Sequence, residues 1–349
     1  MSASAPKRSF AKSDWAPQVA RILDQCAGLK EGEQVLIVTD TAFEMEVVET
    51  FASLASERGA EVVISHMPPR KIPGAEPPPT VASAMLGADL ILELTSMWIG
   101  SSQARVKACE AGGRYLMMPE LYSSLLHRGG PVDVDFERIA PVAEDIRDRF
   151  TRAKEVVLRA RGGTDLKAGL EGRKGRALSG NAKSPGTFSA PPIIEAGSGP
   201  VEGTTEGVLV IDGVIPLVGI GQVRSPIRVE IREGKARSFS APSGDDSFAR
   251  RLEDLLAGYD DPNVYEVAEI ALGLNPRSRM GDNAVDAEAK LGTAHVAFGD
   301  NRGYGGVNAA KCHIDCVIRD VSLWLDGEAI MENGKLLAGE IQESGGGIT

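Results

Sequence analysis

The sequence predicts a two-domain α/β protein: an N-terminal α/β domain built on a parallel sheet over residues 1–154, and a C-terminal α+β domain over residues 155–349 that holds a metal site. Three observations predict it. The run Val35-Leu36-Ile37-Val38 is apolar throughout, as in a strand buried on both faces, and it alternates with helical segments. From Val156 onward glycine becomes dense, strands become short and hairpin turns appear. Near the C-terminus, Cys312-His313-Ile314-Asp315-Cys316 places an imidazole and a carboxylate on alternate residues of a strand, so that both leave the backbone on one face.

Val19, Ile22, Leu23 and Cys26 recur at helical spacing behind a cap at Ser13 or Asp14. After the strand at 35–38, a helix is expected from about Ala42 to Arg58, ended by Gly59, and Val62–Ile64 is the next strand. The proline-rich stretch Met67–Pro79 reads as an extended loop. Leu90–Leu92 and Tyr115–Met118 are further strands, with a helix over Ser101–Ala111 between them. No Gly-x-Gly-x-x-Gly follows the first strand, which removes the main signal for a nucleotide site. A long helix over about Asp135–Lys154 joins the halves. In the second half, alternating residues around Glu233-Gly234 and Asp326-Gly327 give two hairpins, and one helix spans roughly Asp246–Leu256.

At 349 residues the chain exceeds what one small core organises, which favours two domains. A net charge of −11 repels nucleic acid and anionic membrane surfaces, so neither is an expected partner. The expected partner is a small-molecule substrate, with a homo-oligomer allowed by the exposed hairpin at Val321–Ile330. The four cysteines form no Cys-x-x-Cys pair or disulfide framework, and the first residues lack an apolar signal segment; together these point to the cytoplasm.

The chemistry concentrates in a few residues. Two of the four histidines, His295 and His313, lie on short apolar strands close to Asp315, with a glycine-rich loop (Gly299, Gly303, Gly305, Gly306) between them. Two imidazoles and a carboxylate suffice to hold a divalent transition metal. Glu269 lies among apolar residues, where an unpaired carboxylate is costly. Glu202 precedes the apolar strand at 208–211 and reads equally as a solvated loop residue or a salt-bridge partner.

Taken in order, Pro200-x-Glu202-x-x-x-Glu206-Gly207, Ala268-Glu269-Ile270-Ala271-x-Gly273-x-Asn275-Pro276, Gly292-Thr293-x-His295-x-Ala297-x-Gly299 and Gly305-Gly306-x-Asn308-x-x-x-x-His313-x-Asp315 resemble the aminopeptidase T (thermophilic leucyl aminopeptidase) family of metallopeptidases. They also resemble the 2,5-dihydroxypyridine 5,6-dioxygenases, iron enzymes of the same fold. The first resemblance implies metal ligands at Glu202, Glu269, His295, His313 and Asp315, with Arg302 standing where those enzymes carry a tyrosine and Tyr304 close by. The second implies one iron held by two histidines and an aspartate. His313 and Asp315 match, but Glu269 replaces the other histidine and His295 replaces an apolar residue.

Two glutamates beside the histidines suit two divalent ions, whose bridging water attacks a carbonyl, so the leading expectation is metal-dependent hydrolysis of an amide or peptide-like bond with Zn, Co or Mn. The alternative is Fe(II)-dependent oxygenolytic cleavage of a hydroxylated pyridine, with His295, His313 and Asp315 as ligands. For the hydrolase, Glu202 is either a ligand or the general base, and Arg302 or Tyr304 faces the oxyanion. A salt bridge from Arg302 to Asp300 is the competing reading of that arginine.

Overall fold

The computed structural model describes residues 15–339 and 341, apart from 217, 243 and 282. The expected caps Ser13 and Asp14 lie outside the described residues; the first helix starts at Ala16. The chain divides into two compact units, Met1–Glu137 with Gly180–Pro192, and Arg138–Ser179 with Ile193–Thr349.

The first unit holds a parallel five-stranded sheet in the order 61–67, 34–40, 90–94, 114–117, 188–189. Its central strands are buried on both faces, as the apolar runs require. Leu36, Val38, Met85, Ile91 and Tyr115 pack on one side of this sheet with Ile99 and Ala104. Each leucine, valine, isoleucine or methionine side chain among them, removed from water, contributes about 1.5–3 kcal/mol. The expected helices appear at Met45–Glu57 and Gln103–Glu110; the second is capped by the Ser102 hydroxyl, which accepts from Arg105 N at 3.3 Å.

The second unit contains an eight-stranded antiparallel sheet in the order 235–240, 227–232, 206–211, 165–169, 155–160, 321–325, 328–332, 335–336. Both expected hairpins lie in it. Glu233 and Gly234 have φ of 49° and 76°, and Asp326 and Gly327 have 48° and 85°, the paired left-handed conformations of tight two-residue turns. A separate five-stranded antiparallel sheet, in the order 313–318, 294–299, 267–273, 195–198, 176–178, carries the candidate site.

The domain boundary differs from the expected 154/155. The helix Phe136–Arg152 is amphipathic, and from Arg138 onward it belongs to the second unit. Phe150 lies against Gly175, and Gly175 N donates to Thr151 Oγ1 at 2.9 Å. Conversely, Phe188–Ser189 pairs in parallel with Tyr115–Leu116, which returns Gly180–Pro192 to the first unit. Sequence periodicity cannot detect such a two-residue strand. No helix among the described residues is long and apolar enough to cross a membrane.

Candidate metal centre

The site is a product of strand register. Ala271 pairs with His295, and His295 with Val317; Ala297 stands between Glu269 and Asp315; Gly299 pairs with His313, and Gly273 with Glu195. Because side chains alternate with a period of two, Glu195, Glu269, His295, His313 and Asp315 all rise from one face of the sheet. Gly197, Ala271, Gly273, Ala297 and Gly299 on that face are small and leave the polar groups room to converge, while Val317 flanks His295 and Leu178 flanks Glu195. The opposite face carries Ile270, Leu272, Val296, Phe298, Ile314 and Cys316, all buried in the core. A one-residue slip would exchange the two sets, so the apolar face fixes the register that assembles the polar one.

Two groups of donors result, Glu269 with His313 and Asp315, and Glu195 with Glu269 and His295; within each group the ligand atoms lie within 4.8 Å of one another. His313 Nε2 is 3.3 Å from Glu269 Oε2 and 3.4 Å from Asp315 Oδ1. His295 Nε2 is 3.8 Å from Glu195 Oε2 and 3.9 Å from Glu269 Oε2. Glu269 is therefore common to both groups. His313 Nδ1 lies 2.8 Å from the Asp300 carbonyl oxygen, which can only accept, so Nδ1 carries a proton and Nε2 is the nitrogen turned to the cluster, where a bound metal would take its lone pair. His313 Nε2 and Asp315 Oδ1 are buried without a hydrogen-bond partner among the described residues. Orphaned atoms converging beside a buried carboxylate fit a divalent cation.

Electrostatics agree with that fit. Burial opposes charge on every group here; the opposite charges outweigh it at His295 and Glu269, and it prevails at Glu195 and Glu288. Burial disfavours the His295 imidazolium, but Glu269, Glu195 and Asp315 lift it to about 10. Glu269 is held well below the usual carboxylate range: burial pushes it up, and the two histidines outweigh that. Burial, opposed by His295 and aided by Glu269, raises Glu195 to about 7. Burial and the charge of Asp315 raise Glu288 as well. A cluster this rich in carboxylates retains protons to offset its charge, and a bound metal would displace them.

The structure brings together four of the five expected ligands and leaves out Glu202. That carboxylate forms an ion pair with the nearly buried Arg173 and accepts hydrogen bonds from Asn301 Nδ2 at 2.8 Å and Val307 N at 2.7 Å. Both of its oxygens are engaged, and these contacts anchor the loop. Arg302 is exposed and pairs with Asp300 at 2.6 Å, the competing reading of that residue. Tyr304 does approach the cluster: its ring lies parallel to that of His313, 4.7 Å between centroids and 3° between planes. The sequence reading missed Glu195, Arg176 and Glu288. The signal for Glu195 was a carboxylate inside the apolar run Pro192-Ile193-Ile194-Glu195-Ala196. The Arg176 guanidinium lies 4.7 Å from the centroid of the Tyr304 ring.

Comparison with known proteins agrees with this architecture. A family model described as 2,5-dihydroxypyridine 5,6-dioxygenase matches residues 14–338. The 2,5-dihydroxypyridine 5,6-dioxygenase of Pseudomonas putida KT2440 is 28% identical over 270 residues, covering 74% of this chain and 73% of the relative. Among solved structures, 2,5-dihydroxypyridine dioxygenase from Pseudomonas putida KT2440 superimposes with a TM-score of 0.80 at 22% identity, over 93% of this chain and 97% of that one. Wild-type AmpT from Thermus thermophilus gives 0.66 at 17% identity, over 94% and 100%. At these identities the two superpositions establish a shared fold.

Proposed function

The chain belongs to the 2,5-dihydroxypyridine 5,6-dioxygenase family, and on that premise we propose that it is an iron(II) enzyme that opens a hydroxylated nitrogen-heteroaromatic ring with dioxygen. The observation that carries the metal assignment is the convergence of Glu269, His313 and Asp315, with His313 Nε2 and Asp315 Oδ1 orphaned at their centre. The family match moves the preferred reaction from the hydrolysis expected of the sequence to oxygenation.

Glu269, His313 and Asp315 would hold the metal, leaving other positions for substrate and dioxygen. Iron(II) supplies the redox chemistry that lets dioxygen react with a closed-shell ring. The chain's own residues do the remaining work. Asp300 fixes the His313 tautomer through its carbonyl. Arg176 sets a cation beside the cluster, where it favours the ionised hydroxyl of an aromatic substrate. Tyr304 stacks its ring on the imidazole of His313.

A second reading, metal-dependent hydrolysis of an amide or peptide-like bond, is favoured by one observation: Glu195 and His295 form a second donor group that shares Glu269. Two ions bridged by one carboxylate suit a nucleophilic water. Metal analysis with an oxygen electrode separates the readings. Iron together with oxygen uptake dependent on 2,5-dihydroxypyridine or a related hydroxypyridine supports the first. Two equivalents of zinc, cobalt or manganese, with amide hydrolysis and no oxygen uptake, overturn it in favour of the second.

A further inference from the structure

We infer that Tyr304 and Arg176 brace His313, fixing the plane of its imidazole in the orientation that binds metal; the inference rests on the reading of His313 as a ligand. One hydrogen bond, from Nδ1–H to the Asp300 carbonyl, sets the tautomer and the direction of the ring but leaves it free to tilt about that bond. The Tyr304 ring removes that freedom. At 3° between planes and 4.7 Å between centroids, it covers one face of the imidazole. Tyr304 is itself held. Its N–H donates to Asn301 O at 2.9 Å, and Gly305 turns the chain behind it with a φ of 83°. The Arg176 guanidinium lies over its ring at 4.7 Å, within cation–π range.

Backbone packing is shaped for the same end. A Cβ at Gly199 would stand 3.0 Å from Tyr304 O and 3.1 Å from Tyr304 Cβ, so only glycine admits the tyrosine this close. The three aromatic and cationic groups come from different segments: the strand Arg176–Leu178, the loop at 302–304 and the strand His313–Ile318. Tyr304 and Arg176 are positioning residues, acting on the metal through His313.

The test is titration of the metal-free protein with Co(II), reading both affinity and the visible ligand-field spectrum, with near-UV circular dichroism to confirm folding. Tyr304→Leu removes the flat face and is expected to weaken Co(II) binding about tenfold or more and to alter the spectrum, whereas Tyr304→Phe, which keeps the ring and loses only the hydroxyl's hydrogen bond with Arg176, keeps the wild-type spectrum and stays within about threefold of wild-type affinity. Arg176→Met is expected to alter the ligand-field spectrum as Tyr304→Leu does, and Arg176→Lys to restore most of it; the spectrum is the readout for this pair, because removing a cation beside the cluster by itself favours binding of another. Should Tyr304→Leu fail to fold, the arginine pair reads the same brace. His313→Ala is the reference. If it loses Co(II) while Tyr304→Leu binds with wild-type affinity and both Tyr304→Leu and Arg176→Met give the wild-type spectrum, the brace is wrong and the metal centre stands. If His313→Ala itself binds normally, the ligand assignment fails and the inference falls with it.

Discussion

The Asp300 carbonyl oxygen accepts the Nδ1 proton of His313 at 2.8 Å, and this one bond decides which imidazole nitrogen faces Glu269 and Asp315. The side chain of the same aspartate accepts from Arg302 N at 3.0 Å, a backbone bond that closes the turn whatever side chain stands at 302, and from the exposed Arg302 Nε at 2.8 Å. Because Asp300 acts through its backbone, the orientation of His313 depends on loop geometry more than on any side chain at 300.

Glu269→Gln removes the carboxylate common to both donor groups. Divalent-metal affinity falls tenfold or more, measured by equilibrium dialysis, while the melting profile keeps a single cooperative transition. Wild-type affinity in this variant contradicts the shared-ligand geometry.

Glu202→Gln leaves metal content unchanged and costs about 1–3 kcal/mol of stability, because it loosens the Arg173 pair and the loop contacts of Asn301 and Val307. Burial opposes ionisation of Glu202, but the hydrogen bonds from Val307 and Asn301 and the charge of Arg173 bring it down to about 2. A depressed carboxylate stabilises the fold above its ordinary value of 4.5, and that contribution fades as pH falls from there towards 2. Chemical denaturation across this range shows a shallower acid loss in the variant. Loss of metal instead would return Glu202 to the ligand set.

These two glutamates show how much was legible in the sequence. Glu269 could be read because a carboxylate among Val267, Ala268, Ile270 and Ala271 has to be paired, and the His313-x-Asp315 alternation shows its face directly. Glu195 and Glu202, seven positions apart, could not be ranked, because what separates them is the pairing of 195–198 with 267–273 and the position of Arg173, both long-range. Parallel strands in the first unit were legible as apolar runs, whereas the return of 188–189 to that sheet was not. Two residues carry no period.

Arg302→Ala changes kcat/KM by no more than about twofold in steady-state assays, since an exposed loop ion pair contributes little. A loss of a hundredfold would place this guanidinium on the substrate.

Glu93 makes stability depend on pH in the opposite sense. It is fully buried, and burial raises its carboxyl to about 7 despite hydrogen bonds from Ile99 N at 2.6 Å, Tyr115 Oη at 2.8 Å and Thr95 Oγ1 at 3.0 Å. The folded state keeps a proton that the unfolded chain releases near 4.5, so its contribution is full below that value and declines as pH rises through about 7. The decline amounts to about 3 kcal/mol at about 1.4 kcal/mol per unit. Unfolding curves of wild type and Glu93→Gln measure it: the slope between these pH values flattens in the variant, and parallel curves refute the assignment.

The central claim is that Glu269, His313 and Asp315 hold a divalent metal, and metal stoichiometry in His313→Ala tests it most directly. Protein loaded anaerobically with Fe(II), dialysed and analysed for bound iron is predicted to retain metal as wild type and to lose nearly all of it as His313→Ala, with an unchanged far-UV spectrum. Equal iron in the two folded proteins would contradict the account.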